Sequence, residues 1–205
     1  MSVELPRARR RADDCVSSGA VLSLPIFRSV VFVLVRPHYP ENVGAVARAM
    51  KVMGFSRLVL VKPGRIAVPE HEMAQKMAVK SSDVLLGAQI QPTLEAALEG
   101  CAWAFATTSR RGVSGIVTPR HAAHRAVVAA ERRQSIAFVL GNEKTGLSAE
   151  DRALCAEAIR IPIAADQPSL NLAHAAQILA YELFTVALEH RSAAPGTAPA
   201  GQVEN

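Results

Sequence analysis

The sequence contains few aromatic residues and no long apolar run. Aromatic residues make up 4% of the 205 positions, which argues against a platform of exposed stacking rings like that of RNA-recognition or OB-fold domains. The longest strong apolar run, from Val30 to Val35, is far shorter than the roughly 20 residues that cross a bilayer as a helix. We therefore expect no membrane association.

Cysteine is also scarce. The three cysteines, Cys15, Cys101 and Cys155, form an odd set without the spacing of metal ligands. Unpaired thiols of this kind persist in reducing compartments. The N-terminal arginines are not followed by the apolar segment of a signal peptide, because Asp13 and Asp14 interrupt it. We expect a cytoplasmic location, assign the thiols no chemistry, and predict no metal site.

The length and the hydrophobic content of the chain fit one domain with a sizeable core. Hydrophobic residues make up 50% of the chain, which is ample for a single core at this length. The formal net charge of +5 favours a polyanionic partner, although a moderate excess of this kind also occurs in proteins that never bind nucleic acid. Any RNA recognition is therefore expected to be mainly electrostatic and based on shape.

The chain divides into three regions. Residues 1–27 combine arginines with small residues and show no sustained periodicity, which predicts a flexible basic arm. Residues 28–190 are expected to form the folded domain. Residues 191–205 are rich in Ala, Pro and Gly and are expected to form a disordered tail.

Within the folded region, apolar strand patterns alternate with helical patterns. Buried strands are predicted at 30–35, 58–61, 102–107, 136–140 and 158–163, and helices at 42–53, 70–79, 94–99, 121–132 and 171–189. Such alternation indicates an α/β fold with a mainly parallel sheet and helices on both faces. Ligands bind beyond the carboxyl ends of the strands in folds of this kind.

The first segment with functional character follows the strand at 30–35. Asn42 is a natural N-cap for the next helix and Gly54 a natural stop. Arg48 is not part of the apolar stripe of this helix and could hold a phosphate bidentately. The alternative, that Arg48 is a solvated helix residue, is equally compatible with the spacing.

The second segment follows the strand at 136–140. It is a glycine-bounded loop from Gly141 to Gly146, and Ser148 with Asp151 resembles a capping box for a following helix. The loop matches neither a Walker A sequence nor a dinucleotide-binding fingerprint. A tight turn would explain the glycines but not the carboxylate of Glu143 between them.

The third segment enters the last predicted helix through Pro168, Ser169, Leu170 and Asn171. Ser169 and Asn171 can both serve as cap residues. Capping accounts for one of them, whereas two short polar side chains flanking a leucine exceed what one helix start requires.

Together the three segments resemble the motifs of the SpoU/TrmH branch of the SPOUT methyltransferases. In order, those motifs are Asn-x-Gly-x-x-x-Arg, Gly-x-Glu-x-x-Gly-Leu and Pro-Ser-Leu-Asn, and the resemblance covers about residues 30–188. The stretch 48–61 is most similar to the TrmJ-type tRNA 2′-O-methyltransferases. The resemblance implies a C-terminal trefoil knot, S-adenosylmethionine as cofactor, a homodimer, and methylation of an RNA ribose 2′-hydroxyl, with the anticodon loop of tRNA as the favoured target.

The resemblance also implies roles for particular residues. Arg48 would engage the RNA phosphate and ribose with support from Asn42, and Glu143, Ser169 and Asn171 would organise the active centre. The arginine would face the cofactor of the other subunit. The implied cofactor contacts are Thr107, Thr108, Leu140, Gly141, Asn142, Gly146, Ile161, Ile163, Ser169 and Leu170.

Two departures from the TrmJ type leave alternatives open. Asn142 stands where that type usually has arginine, and the chain ends soon after the last predicted helix, where that type continues into a helical extension. The basic arm could contact RNA phosphates instead, or could be a solvated charge run. An rRNA-directed methyltransferase and a non-catalytic RNA-binding protein of the same fold are therefore kept as alternatives.

Overall fold

A computed structural model describes residues 22–110, 112–164 and 169–193 of the chain. The strands are β1 Val30–Val35, β2 Leu58–Val61, β3 Gln89–Gln91, β4 Cys101–Thr107, β5 Ile116–Val117, β6 Ser135–Gly141 and β7 Glu157–Ile159. The helices are α1 Ile26–Ser29, α2 Pro40–Val52, α3 Glu72–Met77, α4 Ser82–Leu86, α5 Leu94–Leu98, α6 Pro119–Glu131, α7 Ala149–Ala153 and α8 Leu172–Ala193. None of the described helices is long and apolar enough to cross a membrane.

The strands form one sheet in the order β3-β2-β1-β6-β4-β7-β5, and every pairing is parallel. β1 lies inside the sheet between β2 and β6, and all of its residues are buried. The predicted α/β class with a mainly parallel sheet is confirmed. Parallel strands bring their carboxyl ends to one edge, so the segments after β1, β4, β6 and β7 meet there. The trefoil knot stays a prediction.

Two apolar clusters cover the two faces of the sheet. The larger cluster joins one face of β1, β2 and β6 to the apolar sides of α2, α6 and α8. The smaller cluster joins the other face to α5 and to Leu147 in the segment after β6. Alternate residues of β1 divide between them, with Phe32 in the larger cluster and Val33 in the smaller. Burial on both faces explains why these strands read as unbroken apolar runs.

The predicted bounds of β1 and β2 agree with the structure, whereas several others shift. The strand predicted at 158–163 ends at Ile159, because both of its partner strands end opposite this residue, β4 at Thr107 and β5 at Val117. The helix predicted at 171–189 continues to Ala193. Residues 1–21 of the arm predicted at 1–27, and residues 194–205 of the tail predicted at 191–205, lie outside the described residues. Leu24 and Ile26 are buried, so the packed region reaches slightly before residue 28.

The ends of α2 show one wrong prediction and one confirmed one. The N-cap is Tyr39, with Pro40 in the first turn, and Asn42 lies inside the helix instead of capping it. Proline favours this start because its fixed φ suits the first turn and its missing N–H costs nothing there. At the other end Gly54 has a φ of 87° and donates to the Lys51 carbonyl at 3.0 Å. This left-handed residue ends the helix, as predicted.

Candidate active site

A cavity of about 270 Å³ lies at the carboxyl edge of the sheet. It is bounded by the segments that follow β4, β6 and β7 and by the start of α8. Every cofactor contact implied by the resemblance lines it: Thr107, Thr108, Leu140, Gly141, Asn142, Gly146, Ile161, Ile163, Ser169 and Leu170. Three stretches that are distant in the sequence are thus brought together around one space.

The lining combines apolar walls with a charged rim. Leu140, Ile159 and Ile161 contribute aliphatic side chains, and Arg110 and Lys144 contribute positive charge. Ile161 and Ile163, which the sequence predicts to be part of the last strand, therefore line the cavity instead. Such a mixture of apolar surface with a few polar groups is typical of sites that hold a small organic molecule.

The loop after β6 is folded by its own residues. The Asn142 Oδ1 atom accepts hydrogen bonds from the Lys144 N–H at 3.0 Å and the Thr145 N–H at 2.8 Å. Gly146 closes the turn with a φ of 70° and donates to the Asn142 carbonyl at 3.0 Å. Asn142, one of the departures from the TrmJ type, thus shapes the loop through an Asx turn.

Gly141 is required by the sheet itself. Its φ is 131°, and a Cβ atom at this position would lie 2.3 Å from the Val35 carbonyl oxygen. This distance is well inside van der Waals contact, so only glycine lets the ends of β1 and β6 approach this closely.

A second cavity, of about 400 Å³, adjoins the first and shares Glu143, Ser169, Leu170 and Leu172 with it. Its remaining lining residues are Tyr39, Glu41, Asn42 and Asn171. The predicted catalytic residues Asn42, Glu143, Ser169 and Asn171 therefore lie together, around the border between the two cavities.

A chain of hydrogen bonds joins three of these residues. The Asn171 Oδ1 atom accepts from the Ala173 N–H at 2.8 Å, which caps α8, and its Nδ2 atom donates to Asn42 Oδ1 at 2.9 Å. The Asn42 Nδ2 atom donates in turn to Glu143 Oε1 at 3.0 Å. Asn171 is thus both a cap and a link, and the amide orientations of both asparagines are fixed by their partners.

The Glu143 carboxylate accepts three hydrogen bonds. Besides Asn42, it accepts from the His38 N–H at 3.0 Å and from the Tyr39 N–H at 3.4 Å. These N–H groups lie at the start of α2, where a carboxylate is favoured by the helix dipole. Glu143 therefore fastens the loop after β6 to the start of α2.

Arg48 is not brought into this group. It is exposed on α2, lines neither cavity, and makes no hydrogen bond or ion pair with another residue in the described part of the chain. The structure thus leaves its guanidinium free for a partner outside the chain, or simply solvated.

Arg36 supports the site, although no local sequence pattern marks it. It follows β1 with a φ of 48°, its Nη1 atom donates to Asp151 Oδ1 at 3.2 Å, and its Nη2 atom pairs with Oδ2. Asp151 also completes the predicted capping box with Ser148, which is confirmed. Burial alone would raise the pKa of Asp151, but the bonds from Arg36 and Ser148 outweigh it and lower the pKa below 3.8.

This ion pair predicts a specific acid sensitivity. A lowered folded-state pKa gives stability that is present at neutral pH and lost as the pH falls below 3.8 through the folded value. We expect Arg36→Met to cost about 1–3 kcal/mol at pH 7, toward the lower end because the guanidinium is part-exposed. Urea unfolding of both proteins at pH 7 and pH 3 should show this difference shrink in acid. An equal difference in unfolding free energy at pH 7 and pH 3 would mean that Arg36→Met removes only packing contacts and not the ion pair's contribution.

The described cysteines are poor nucleophiles. Burial raises the pKa of the Cys155 thiol to about 12, and it also raises the pKa of Cys101. Cys15 lies outside the described residues. Within the described ranges, no group of three or more His, Cys, Asp or Glu side chains is arranged to hold a metal ion.

Comparison with known proteins identifies relatives. The model of the SpoU rRNA Methylase family matches residues 29–181. A curated relative in Pseudomonas aeruginosa (strain UCBPP-PA14), tRNA (cytidine/uridine/adenosine-2'-O-)-methyltransferase TrmJ, is 39% identical over 74% of this chain and 58% of its own. The tRNA (cytidine/uridine-2'-O-)-methyltransferase TrmJ of Pectobacterium atrosepticum is 36% identical over 80% of this chain and 68% of its own. The chain therefore spans about three fifths to two thirds of these relatives' length.

Solved structures agree with the sequence relatives. TrmJ from Z. mobilis superposes with a TM-score of 0.68 at 34% identity, covering 82% of this chain and 72% of that one. A methylase family protein from Neisseria gonorrhoeae gives a TM-score of 0.73 at 35% identity, covering 81% and 86%. With the family match over most of the described fold, the resemblance stated from the motifs is confirmed: the chain belongs to the SpoU rRNA Methylase family.

Proposed function

We propose that this chain transfers a methyl group from S-adenosylmethionine to a ribose 2′-hydroxyl of RNA, with tRNA the favoured substrate. One observation carries the proposal: the ends of β4 and β6 and the segments after β4, β6 and β7, which hold every cofactor contact implied by the resemblance, line one cavity whose border holds the Asn42, Glu143 and Asn171 network. The two curated relatives described above are tRNA 2′-O-methyltransferases by name.

The lining of the first cavity fits S-adenosylmethionine. Leu140, Ile161 and Leu170 offer apolar surface for an adenine ring, and Arg110 offers charge for a carboxylate. When bound, this cofactor supplies a methyl group on a positively charged sulfur, which is already a strong electrophile. The protein therefore has mainly to align the attacking hydroxyl, and alignment of this kind can supply about 7–11 kcal/mol.

Ser169 and Asn171 would perform that alignment. The Ser169 hydroxyl lines both cavities and makes no hydrogen bond to another described residue, so it is available to a ribose hydroxyl. Glu143 already accepts three hydrogen bonds. We assign it the positioning of Asn42 and the loop after β6, and not the removal of the hydroxyl proton.

Arg48 would act across a homodimer. It lines neither cavity of its own chain, which favours a contact with the reacting ribose in the site of a second copy. A guanidinium stays protonated in proteins, so its contribution is electrostatic stabilisation of the developing alkoxide and of the neighbouring phosphate. The proposed dimer and the proposed arginine function thus support each other.

The test is a transfer assay with radiolabelled S-adenosylmethionine and two acceptors, unfractionated bacterial tRNA and ribosomal RNA. We expect label in tRNA, located at a ribose by nuclease digestion. Label in rRNA alone would favour the rRNA-directed alternative. RNA binding without transfer would favour the non-catalytic alternative and contradict the proposed activity. The cytoplasmic location follows from the same substrate class and is proposed with it.

Two substitutions at Asn171 separate capping from catalysis. Asn171→Ala removes both the cap and the bond to Asn42, whereas Asn171→Ser keeps a capping oxygen but lacks the amide donor. We expect Asn171→Ala to cost about 1 kcal/mol, a fall in Tm of about 2–4 °C. Asn171→Ser should leave Tm nearly unchanged, yet both variants should lose roughly tenfold in kcat or more. Full activity of Asn171→Ser would show that Asn171 is only a cap.

A further inference from the structure

The second cavity has an aromatic residue on its wall that no motif explains. Tyr39 is 43% exposed and lines this cavity, and it takes part in the network described above only through its backbone N–H. An exposed ring beside a polar cleft offers a flat surface on which a base can pack.

The backbone of Tyr39 is fixed. Its N–H donates to Glu143 Oε1 at 3.4 Å, and its carbonyl accepts from the Asn42 N–H at 3.1 Å as the N-cap of α2. The ring is therefore carried on a rigid helix start that is bonded to the same carboxylate as Asn42. A preformed ring loses little conformational freedom when a flat ligand packs on it.

The neighbours of the ring suit a nucleotide. The Lys144 ammonium lies over the Tyr39 ring, 6.0 Å from its centroid, and the His38 and Tyr39 rings are perpendicular with centroids 4.9 Å apart. An aromatic face stacks on any base, and a nearby ammonium pairs with the phosphate that accompanies it. Ser169, where the ribose hydroxyl is proposed to bind, lines the same cavity.

We propose that Tyr39 is the stacking surface for the base of the nucleotide that receives the methyl group, and that Lys144 contacts an adjoining RNA phosphate. This inference rests on the proposed function and adds to it the part of the substrate that the second cavity holds. Because stacking is tolerant of base identity, the site selects an unstacked nucleotide and not a particular base.

The test compares Tyr39→Ala, Tyr39→Phe and Lys144→Ala, using whichever of unfractionated tRNA or ribosomal RNA the unaltered protein methylates. Tyr39→Ala should raise the KM for RNA about 5- to 150-fold, the loss expected for one base–aromatic stack. Tyr39→Phe keeps the ring and should stay within about twofold. The Tyr39 side chain makes no cap bond, so the Tm of these variants should hardly change.

A binding measurement separates stacking from charge. Filter retention of the RNA at several salt concentrations should show Lys144→Ala with a salt slope smaller by about 1, and Tyr39→Ala with weaker binding but an unchanged slope. Equal RNA affinity and KM for Tyr39→Ala and the unaltered protein would overturn the inference. Weaker binding by Tyr39→Ala in a protein that transfers no methyl group would support the stacking site while contradicting the proposed activity.

Discussion

Arg48→Ala should abolish most turnover and leave cofactor binding intact. Arg48 is exposed and lines neither cavity, so its loss removes no contact from the cofactor site. Removing one charged stabiliser of a developing oxyanion costs about 10²–10³ in rate. Single-turnover transfer to RNA measures the loss, and calorimetry with S-adenosylmethionine measures the retained affinity. Equal loss of both would show that Arg48 has a structural role.

Subunit mixing tests whether the arginine acts in trans. Leu170 lines both cavities, so Leu170→Trp should block the cofactor site while keeping Arg48. A mixed dimer of the two variants then has one complete site. Random exchange should restore on the order of a quarter of normal activity, because about half of the dimers are mixed and each has one of two sites intact. Two inactive variants that stay inactive after exchange would exclude action across the dimer.

Gly141→Ala should be the most destabilising small substitution at the site. The added Cβ atom would lie 2.3 Å from the Val35 carbonyl oxygen at a φ of 131°. Strain and overpacking together cost at least about 2 kcal/mol, which lowers Tm by about 4–8 °C or more for a chain of this size.

Gly146→Ala is the matched control. Gly146 also has a positive φ, 70°, but a Cβ there would meet no atom within 4 Å. Gly146→Ala should lower the free energy of unfolding by only about 1 kcal/mol, the conformational cost of placing alanine at a positive φ. Thermal unfolding of the two variants side by side isolates the clash with Val35. Similar Tm values would mean that β1 and β6 separate easily and that the close approach of their ends is not needed.

The sequence predicts the strands and the cavity lining well for identifiable reasons. β1 and β2 are buried on both faces, so each reads as an unbroken apolar run whose limits are plain. The segments after parallel strands converge on one edge, so motifs placed there, such as the loop from Gly141 to Gly146, meet in space. The family resemblance supplied which residues of those segments matter.

The errors have physical causes that local patterns do not contain. The residue type of Asn42 is typical of caps, but Pro40 starts the helix earlier and frees the Asn42 amide for Glu143. The partner of Arg36 is 115 residues away, at Asp151. The exposure of Tyr39 depends on where α2 begins and on what the segment at 169–172 leaves open. The start of α2, the partner of Arg36 and the exposure of Tyr39 all depend on tertiary contacts.

The most direct measurement is isothermal titration calorimetry of the intact chain with S-adenosylmethionine, beside Leu170→Trp. We expect the unaltered protein to take up one cofactor per chain and Leu170→Trp to take up none, with both proteins shown to be folded by circular dichroism. No heat from the unaltered protein, or equal uptake by the two, would contradict the claim that the cavity at the ends of β4, β6 and β7 is the methyl-donor site.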